Sequence, residues 1–416
     1  MWVLTLLFLL LSLCLGWLLF LYLQVLWFIG AFRPARKPAF PAVWPRLSIM
    51  VPCYNEEDEI LAKLDDLRAL DYPADRLEVV FADGGSRDAT VALLREAIRE
   101  DEPYRVVECP LSGKINQINH VLPGLGGEIF VNTDVDARLQ PDALKWLAAE
   151  FHTSPDAWVV GAYCRPRDAI PVEKHHWQAQ NKGRFLESGA GTSSIVIAQC
   201  YAFRRGLLRA FPPDVIADDI YIAFLAAVQG YRAIYSAQAV AEETRGPQSI
   251  PEFLSHKLRK SHAYLRETLR FAYRLPEMKS LFKLLLLTRI SQQLLLPWVA
   301  IFWVLVAAAL LTLTRFDIVL IGAGFLLAML ILTRTIFQSM KLPEDGRFSW
   351  GTIAAGYILT NVILLVTALT YPFLHQDSSY ARLGSSVSAG EGKRAGGRAA
   401  AQEKAEADEP LSRTRP

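Results

Sequence analysis

The sequence predicts an α/β domain with a mostly parallel sheet, preceded by one membrane-spanning helix and followed by about three more. Three observations support this prediction. Short β-branched runs alternate with helical patterns across residues 47–134, as in sheets that are covered by helices. Residues 1–30 contain no charged side chain and exceed the ~20 apolar residues that cross a bilayer. Further apolar stretches lie within residues 294–374.

The first apolar stretch has the features of a membrane anchor. No basic segment precedes it and no small-residue cleavage site follows it, which argues against a secretory signal. It runs into a proline-rich linker, residues 31–46, whose first cations are Arg33, Arg36 and Lys37. Cations beside a span stay in the cytoplasm. We therefore expect a multi-pass protein of the cell (inner) membrane, with its amino terminus outside and the following domain in the cytoplasm.

The other end of the chain is expected to cross the membrane three times, near residues 294–314, 318–336 and 351–374. The connection between the last two stretches carries cations that place it in the cytoplasm: Arg334, Lys341 and Arg347. Four crossings put the tail, residues 375–416, outside. The tail is small, polar and charged without a periodic apolar face, so we expect it to be disordered. Its basic residues fit an external location poorly, which leaves its side open.

Composition excludes several functional classes. The net charge of +2 over 416 residues provides no electrostatic case for nucleic acid binding. The five cysteines have no metal-ligand spacing, and a cytoplasmic domain would keep them reduced. The chain contains neither G-x-x-x-x-G-K-[ST] nor a G-x-G-x-x-G that opens a helix. P-loop and dinucleotide-binding folds are therefore disfavoured.

Clustered acids and glycines follow three of the predicted strands. The first strand ends in PCYNEED, the second in ADGGSRD and the fourth in TDVDA. Ligands of parallel sheets bind beyond the carboxyl ends of the strands, so these segments are expected to meet on one rim. Taken singly, each has an ordinary explanation: a helix start with acids in its first turn, a turn that needs glycine, or a solvated corner.

The third of these segments contains Asp134 and Asp136, whose side chains point the same way on an extended backbone. Two such charges about 4 Å apart repel by roughly 4 kcal/mol at an effective dielectric of about 20. A divalent cation would relieve that repulsion and bridge the rim to a nucleotide phosphate. Few, hard oxygen ligands suit Mg²⁺ or Mn²⁺ completed by diphosphate oxygens.

Five motifs, taken in order, carry a resemblance to a known family. They are SIMVPCYNEEDEI, FADGGSRDAT, GKINQIN, NTDVDA and ADDIYIAFLAAVQGYRAIY. Together they resemble family 2 glycosyltransferases with the GT-A fold, most closely the membrane-embedded bacterial members related to cellulose and hyaluronan synthases. The resemblance covers residues 47–245, which it implies form a Rossmann-like nucleotide-diphospho-sugar transferase domain.

The resemblance implies a role for each matching residue. Asp83 would contact the base of the donor, and Asp134 and Asp136 would hold the metal ion, Mg²⁺ or Mn²⁺, together with the diphosphate. The other positions implied at the donor are Pro52, Tyr54, Glu56, Lys114 and Asn119. The implied partners are a nucleotide-sugar donor, expected to be a UDP-sugar, a lipid or glycan acceptor, and membrane lipids.

Asp219 corresponds to the family's general base, which takes the proton of the acceptor hydroxyl. It opens an apolar helical stretch, so its ordinary explanation is a helix cap. Asp218 is an equal candidate for the helix cap. Together with Arg259, it is also a candidate contact for the acceptor or the diphosphate. The implied reaction is metal-assisted and inverting.

The chain departs from the processive members of the family at their Q-x-x-R-W motif. The nearest match is HKLRK, which retains Arg259 and places Lys260 where the tryptophan stands. We therefore expect one or very few sugars to be added, although Trp177 or Tyr264 could supply an aromatic platform from elsewhere. A processive polysaccharide synthase and a non-catalytic, sugar-nucleotide-binding assembly subunit are the alternatives.

Residues 246–293 are expected to form amphipathic helices at the membrane boundary. One apolar stripe contains Leu254, Leu258, Leu265, Leu269 and Ala272. The cations fall elsewhere: Lys257, Arg259, Lys260, Arg266 and Arg270. Interfacial packing and substrate contact by Arg259 both remain open at this point.

Overall fold

A computed structural model of the chain gives the fold. It describes residues 1–33, 37–340, 342–343, 346 and 348–373. Some of the sequence-based expectations lie outside the described residues. These are the tail, residues 375–416, and three of the cations used to assign sidedness: Arg36, Lys341 and Arg347.

The strands form one sheet of eight within the described residues, in the order β3-β2-β1-β4-β7-β6-β8-β5. Their bounds are β1 Leu47–Cys53, β2 Leu77–Asp83, β3 Tyr104–Glu108, β4 Ile129–Thr133, β5 Ala137–Leu139, β6 Ala157–Pro166, β7 Cys200–Arg204 and β8 Arg232–Glu243. Strands β3, β2, β1 and β4 are mutually parallel. The loops after β1, β2 and β4 therefore meet on one rim, as predicted.

The sheet is mixed, and the expectation of a mostly parallel sheet holds only for its first half. Strand β7 runs antiparallel to both β4 and β6, and β5 runs antiparallel to β8, whereas β6 and β8 are parallel. Three residues separate β4 from β5. A connection this short cannot carry the chain back for a parallel crossover, so it makes the turn that contains the two rim aspartates.

Helices cover both faces of the sheet. Their bounds are α3 Ile60–Arg68, α4 Thr90–Ala97, α5 Lys114–Val121, α6 Ala143–Thr153, α7 Pro171–Ala190, α8 Asp218–Val228 and α9 Ile250–Ala272. Side chains alternate across each strand, so Ile49 and Val51 enter one core while Met50 enters the other. The first core packs against α3 and α6, and the second packs against α5 and α8.

The apolar helices lie at the two ends of the described chain. Helix α1 (Trp2–Gly16) continues through a π turn into α2 (Tyr22–Ala31). The carboxyl-terminal helices are α10 Ser280–Leu294, α11 Leu296–Thr312, α12 Phe316–Ser339 and α13 Trp350–Thr370. By length and composition, three helices (α1–α2, α12 and α13) could each cross a membrane, or four if the bent pair α10–α11 counts as one span.

The bend of 58° between α10 and α11 has a local cause. Pro297 lies in the first turn of α11, and proline cannot continue the hydrogen bonding of a preceding helix.

Polar contacts also join the apolar helices: Gln24 Nε2 donates to Met329 O at 3.0 Å and to Thr333 Oγ1 at 3.1 Å. Such contacts replace water where apolar side chains surround the backbone.

Helix α9 is covered on more than one side, which corrects the expectation of a one-sided apolar stripe. Leu254 and Leu258 pack towards Ile363 of α13, as the stripe predicted. Lys257, however, is buried. Its ammonium group is accommodated because Glu173 of α7 accepts a hydrogen bond from it at 2.7 Å.

Candidate active site

A buried lysine, Lys63, holds the turn that carries Asp134 and Asp136. Lys63 Nζ donates to Ala137 O at 2.6 Å and to Thr133 Oγ1 at 3.1 Å, so it holds both ends of the turn. Burial lowers the pKa of Lys63, and Asp66 opposes that shift. The sequence contains a signal for this residue that the motif-based interpretation missed. Lys63 shares the buried face of α3 with Ile60, Leu64 and Leu67.

Lys114 joins the aspartate turn to the start of α8. Its Nζ lies 2.9 Å from Asp134 Oδ1 and 3.1 Å from Asp218 Oδ2. Burial raises the pKa of Asp134. The neighbouring carboxylates Asp136 and Asp218 raise this pKa further, whereas Lys114 lowers it. The predicted donor and acceptor residues thus share one ammonium group. One lysine among these carboxylates leaves a surplus of negative charge.

Asp218 and Asp219 are adjacent in sequence but have different surroundings. Asp218 is buried and accepts a hydrogen bond of 2.7 Å from Tyr201 in addition to its contact with Lys114. Asp219 is half-buried, and its Oδ1 accepts from the Ile220 amide at 3.0 Å. The Asp218 carboxylate therefore has a structural role, because it joins Tyr201 to Lys114.

The environment of Asp219 favours a carboxyl group that exchanges its proton near neutral pH. Burial raises the pKa of Asp219 to about 6, with a further contribution from Asp218. Lys114, Lys260 and Arg184 act in the opposite direction. A carboxylate with this pKa is mostly ionised at neutral pH, yet it is a stronger base than an exposed one.

The loops after β1 and β2 hold each other. Asp83 Oδ2 accepts from the amides of Gly85 at 2.9 Å and Ser86 at 3.0 Å. The Asn55 amide donates to Ser86 Oγ at 2.8 Å, and Asn55 Oδ1 accepts from the Arg87 amide at 2.7 Å. Asn55 takes a positive φ of 52° to do so, a conformation that asparagine tolerates. Asp83 therefore shapes the loop, and its contact with a base stays a prediction.

Gln117 is a second residue that the motif-based interpretation left without a role. Its Nε2 donates to Cys53 O at 2.6 Å and to Ala82 O at 3.0 Å, which joins the carboxyl ends of β1 and β2. A Cβ atom on Gly84 would lie 2.5 Å from this nitrogen. The first glycine of the doubled pair is thus explained by the close approach of Gln117.

The remaining predicted donor residues lie around the same rim. Pro52 is half-buried on β1, and Tyr54 is exposed just beyond it. Glu56 forms an ion pair with Arg245, which follows β8. Asn119 is turned towards the backbone of Phe211, donating to its carbonyl at 2.8 Å and accepting from its amide at 2.7 Å. Asn119 therefore holds the loop after β7, and its contact with the donor stays a prediction.

The aspartate turn fits a divalent cation whose coordination shell is completed by the oxygens of a bound ligand. Asp134 and Asp136 offer two hard carboxylate donors, the ligand type that Mg²⁺ and Mn²⁺ prefer. Within the part of the chain that the structure describes, no group of three or more His, Cys, Asp or Glu side chains is arranged to hold a metal ion. The other ligands would therefore have to come from phosphate oxygens and water.

Comparisons with known proteins agree with this geometry. Residues 48–211 match the family model described as glycosyl transferase family 2. A mannosyltransferase from Pyrobaculum calidifontis, solved in complex with GDP-Man and Mn²⁺, superposes with a TM-score of 0.65 and 25% identity. The superposition covers 88% of this chain and 99% of that one.

Two curated relatives point the same way. An N-acetylglucosaminyltransferase of Mesorhizobium japonicum is 27% identical over 247 residues, which is 54% of this chain and 57% of the relative. Cellulose synthase 2 of Novacetimonas hansenii is 25% identical over 260 residues, which is 56% of this chain and 15% of the relative. The chain thus spans less than two thirds of the length of either curated relative.

The eight-stranded sheet and its rim of strand ends define a fold of the Rossmann-like GT-A class. Residues 48–211 match glycosyl transferase family 2, and the chain has the GT-A fold of the solved mannosyltransferase. The resemblance drawn from the five motifs is confirmed, including the relationship to cellulose synthase.

The raised pKa of Asp219 has a testable consequence for stability. The folded state holds this proton up to a pH of about 6, whereas the ordinary value is 3.8. Stability should therefore fall as the pH rises through this interval. The amide introduced by Asp219→Asn never ionises, so this variant should be more stable at about pH 7.5 by about 2 kcal/mol, with no gain near about pH 4.

Urea unfolding of the detergent-purified chain at several pH values measures this difference. Asp75→Asn, at an exposed position, is the matched control and should change stability little at any pH. A stability difference for Asp219→Asn that does not vary with pH would contradict the assignment.

Proposed function

We propose that this enzyme transfers N-acetylglucosamine from a UDP-linked donor to a hydroxyl group of a lipid or glycan acceptor, with inversion at the sugar. The sugar follows from the name of the Mesorhizobium relative. The observation that carries the proposal is the Lys114 bridge. It brings the predicted donor site, Asp134, within one side chain of the predicted base at the start of α8.

The reaction assigns separate tasks to Asp219, which is next to the Asp218 end of that bridge, and to the aspartate turn at its other end. Asp219 takes the proton of the acceptor hydroxyl as its oxygen forms a bond to C1 of the sugar. The bond from C1 to the diphosphate breaks on the opposite face, which inverts the configuration. A divalent cation held by Asp134 and Asp136 would offset the negative charge that develops on the leaving diphosphate. Lys114 adds a positive charge at the same place.

The surroundings of the two adjacent aspartates support Asp219 as the base. Asp218 is held by Tyr201 and Lys114, and its carboxylate cannot leave these partners without exposing them. Asp219 is half-buried with a pKa of about 6. A base of that strength is mostly unprotonated at neutral pH and can still accept a proton readily.

The chain is further proposed to be a multi-pass protein of the cell (inner) membrane with the transferase domain in the cytoplasm. Three described helices are long and apolar enough to cross a membrane. Arg33 and Lys37 flank the first of them on the side of the domain, as cytoplasmic cations do. A nucleotide-sugar made in the cytoplasm would then reach the site directly.

Trp177 favours short products over a processive synthase. A processive enzyme benefits from an open aromatic face that binds the apolar side of a sugar ring. Trp177 is only 6% exposed, and Lys260 Nζ lies 5.5 Å from the centre of its ring. The replacement of the motif tryptophan by Lys260 is therefore not compensated by an open face at Trp177.

Release of nucleoside diphosphate from a panel of donors tests the function as a whole. We expect the purified full chain to release UDP from UDP-N-acetylglucosamine faster than from UDP-glucose, and to leave GDP-mannose nearly untouched. Faster release of GDP than UDP would overturn the assignment of the donor. Binding without release from any donor would favour the non-catalytic assembly subunit.

Transfer should require a divalent cation. We expect EDTA to stop transfer and to weaken UDP binding, because the rim carboxylates would then face the diphosphate unscreened. Asp134→Ala and Asp136→Ala should each lower transfer by about 100-fold or more, consistent with a few kcal/mol of charge stabilisation. Calorimetric titration with UDP, with and without Mn²⁺, gives a readout that does not depend on turnover.

Asp101→Ala is the control for these two variants, since Asp101 is exposed and lies outside the rim. It should transfer sugar at the rate of the unmodified chain. Full turnover of the unmodified chain in EDTA would exclude the metal site.

Asp219→Asn should stop transfer while leaving the donor bound. The base acts on the acceptor, so kcat should fall by roughly 1,000-fold with little change in UDP affinity. Asp218→Asn should instead weaken the anchoring of Lys114 and raise the KM for the donor. Steady-state kinetics combined with UDP titration separates the two patterns, and the reverse outcome would make Asp218 the base.

The product should carry one or very few added sugars. Mass analysis of the lipid phase after incubation with excess donor measures the length. Under the same conditions a processive enzyme would give a ladder of tens of sugars per acceptor, and such a ladder would overturn this prediction.

A further inference from the structure

Three cations surround the indole ring of Trp177. Lys257 Nζ lies 5.3 Å from the ring centre, and Arg184 Cζ and Lys260 Nζ each lie 5.5 Å from it. These four residues, called the basic cluster below, belong to α7 and α9 and not to the strand ends that form the donor rim. An aromatic face attracts a cation, but one ring does not neutralise three charges.

Arg184 is buried without a full set of hydrogen-bond partners. It is 7% exposed, and its Nε and Nη1 find no acceptor among the described residues. Trp177 Nε1 is likewise buried without an acceptor in that part of the chain. A guanidinium group stays charged in proteins, and a buried charge without a partner is costly. These unused donors point to a ligand that brings acceptor atoms.

The carboxylates nearby do not supply those acceptors. Glu173 is engaged with Lys257 at 2.7 Å. Glu243 accepts from Gln199 Nε2 at 2.7 Å through Oε1, and its charge faces Lys260 without reaching salt-bridge distance. Among the described residues, neither Arg184 nor Lys260 has a carboxylate within salt-bridge distance. The Arg184 and Trp177 N–H groups therefore lack an acceptor among the described residues, and an anion is the kind of ligand that would satisfy them.

The basic cluster lies between the proposed base and the apolar helices. Arg184 and Lys260 are close enough to Asp219 to oppose the effect of burial on its pKa. On the other side, α7 and α9 both pack against α13, where Val172 and Phe253 share an apolar cluster with Ile363. Helix α13 is one of the helices apolar enough to cross a membrane. An anion in the cluster would thus lie beside both the base and the lipid.

We propose that the basic cluster binds the phosphate group of a lipid-borne acceptor and thereby holds the acceptor hydroxyl at Asp219. The proposal rests on the proposed function and names its acceptor class. A phosphate suits this set of donors, because arginine binds phosphate oxygens through paired N–H groups and lysine adds a compact charge. The diphosphate of the donor is the competing occupant, but the proposed function assigns it to the aspartate turn and Lys114, neither of which belongs to the basic cluster.

Binding of a lipid phosphate to the full chain tests the proposal without any need for turnover. The detergent-purified chain is titrated calorimetrically with farnesyl phosphate, farnesol and inorganic phosphate, and in parallel with UDP and Mn²⁺. We expect Arg184→Met and Lys260→Met each to weaken farnesyl phosphate binding about tenfold, with UDP affinity unchanged. Arg184→Lys, which keeps the charge, should recover part of the loss. Unchanged UDP affinity also shows that the variants are folded.

Lys145→Met is the matched control. Lys145 also lies over a tryptophan, 5.9 Å from the ring centre of Trp44, and it pairs with Asp71 on the side of the domain that α6 covers. Removing this cation should leave the binding of every probe unchanged. An equal loss of farnesyl phosphate affinity in Lys145→Met would mean that general surface charge, and not the basic cluster, binds the probe, and would overturn the proposal.

Three further results would also overturn the proposal. Farnesol binding as tightly as farnesyl phosphate would remove the need for an anion. Loss of UDP affinity without loss of farnesyl phosphate affinity would assign the cluster to the donor. Inorganic phosphate competing at the same concentration as farnesyl phosphate would make the phosphate acceptor soluble and not lipid-borne. Failure of the unmodified chain to bind UDP would refute the proposed function separately, since the farnesyl phosphate titration does not involve the donor.

Discussion

One ammonium group, Lys114 Nζ, connects the two halves of the site. It contacts Asp134 on the turn after β4 and Asp218 at the start of α8, so the turn and the start of α8 cannot move apart freely. The turn itself is held by Lys63, which donates to Thr133 Oγ1 and to Ala137 O. A pair of lysines thus stabilises a group of carboxylates that would otherwise repel one another. What they leave unneutralised is the part of the site that a cation and a diphosphate would complete.

The same crowding links stability to chemistry. Burial and Asp218 raise the pKa of Asp219 to about 6, which costs stability at neutral pH and provides a stronger base. Asp218 anchors the start of α8 because Tyr201 and Lys114 both hold it. Two adjacent acids of the same type thus differ in burial and in partners, and only Asp218 is held by Tyr201 and Lys114.

The apolar helices take part in building the site. Helices α7 and α9 lie between the sheet and α13, and they carry the cations around Trp177. Trp177 is buried, and these cations surround its ring. Lys260, at the position of the motif tryptophan, thus takes part in both proposals, the one on product length and the one on the acceptor.

The sequence by itself determined the parts of this protein that depend on local pattern. Period-two and period-3.6 runs placed β1 to β4 and their helices, uncharged stretches marked the apolar helices, and motif order identified the family. Parallel strands bring their ends to one rim, so the positions of Asp83 and Asp134 followed as well. Only the tertiary structure inserted β7 antiparallel into the sheet and brought Lys63 to Ala137, 74 residues away. It also gave Asp218 and Asp219 different burial and different partners, and it buried Arg184. Burial and pairing depend on segments that are distant in the chain.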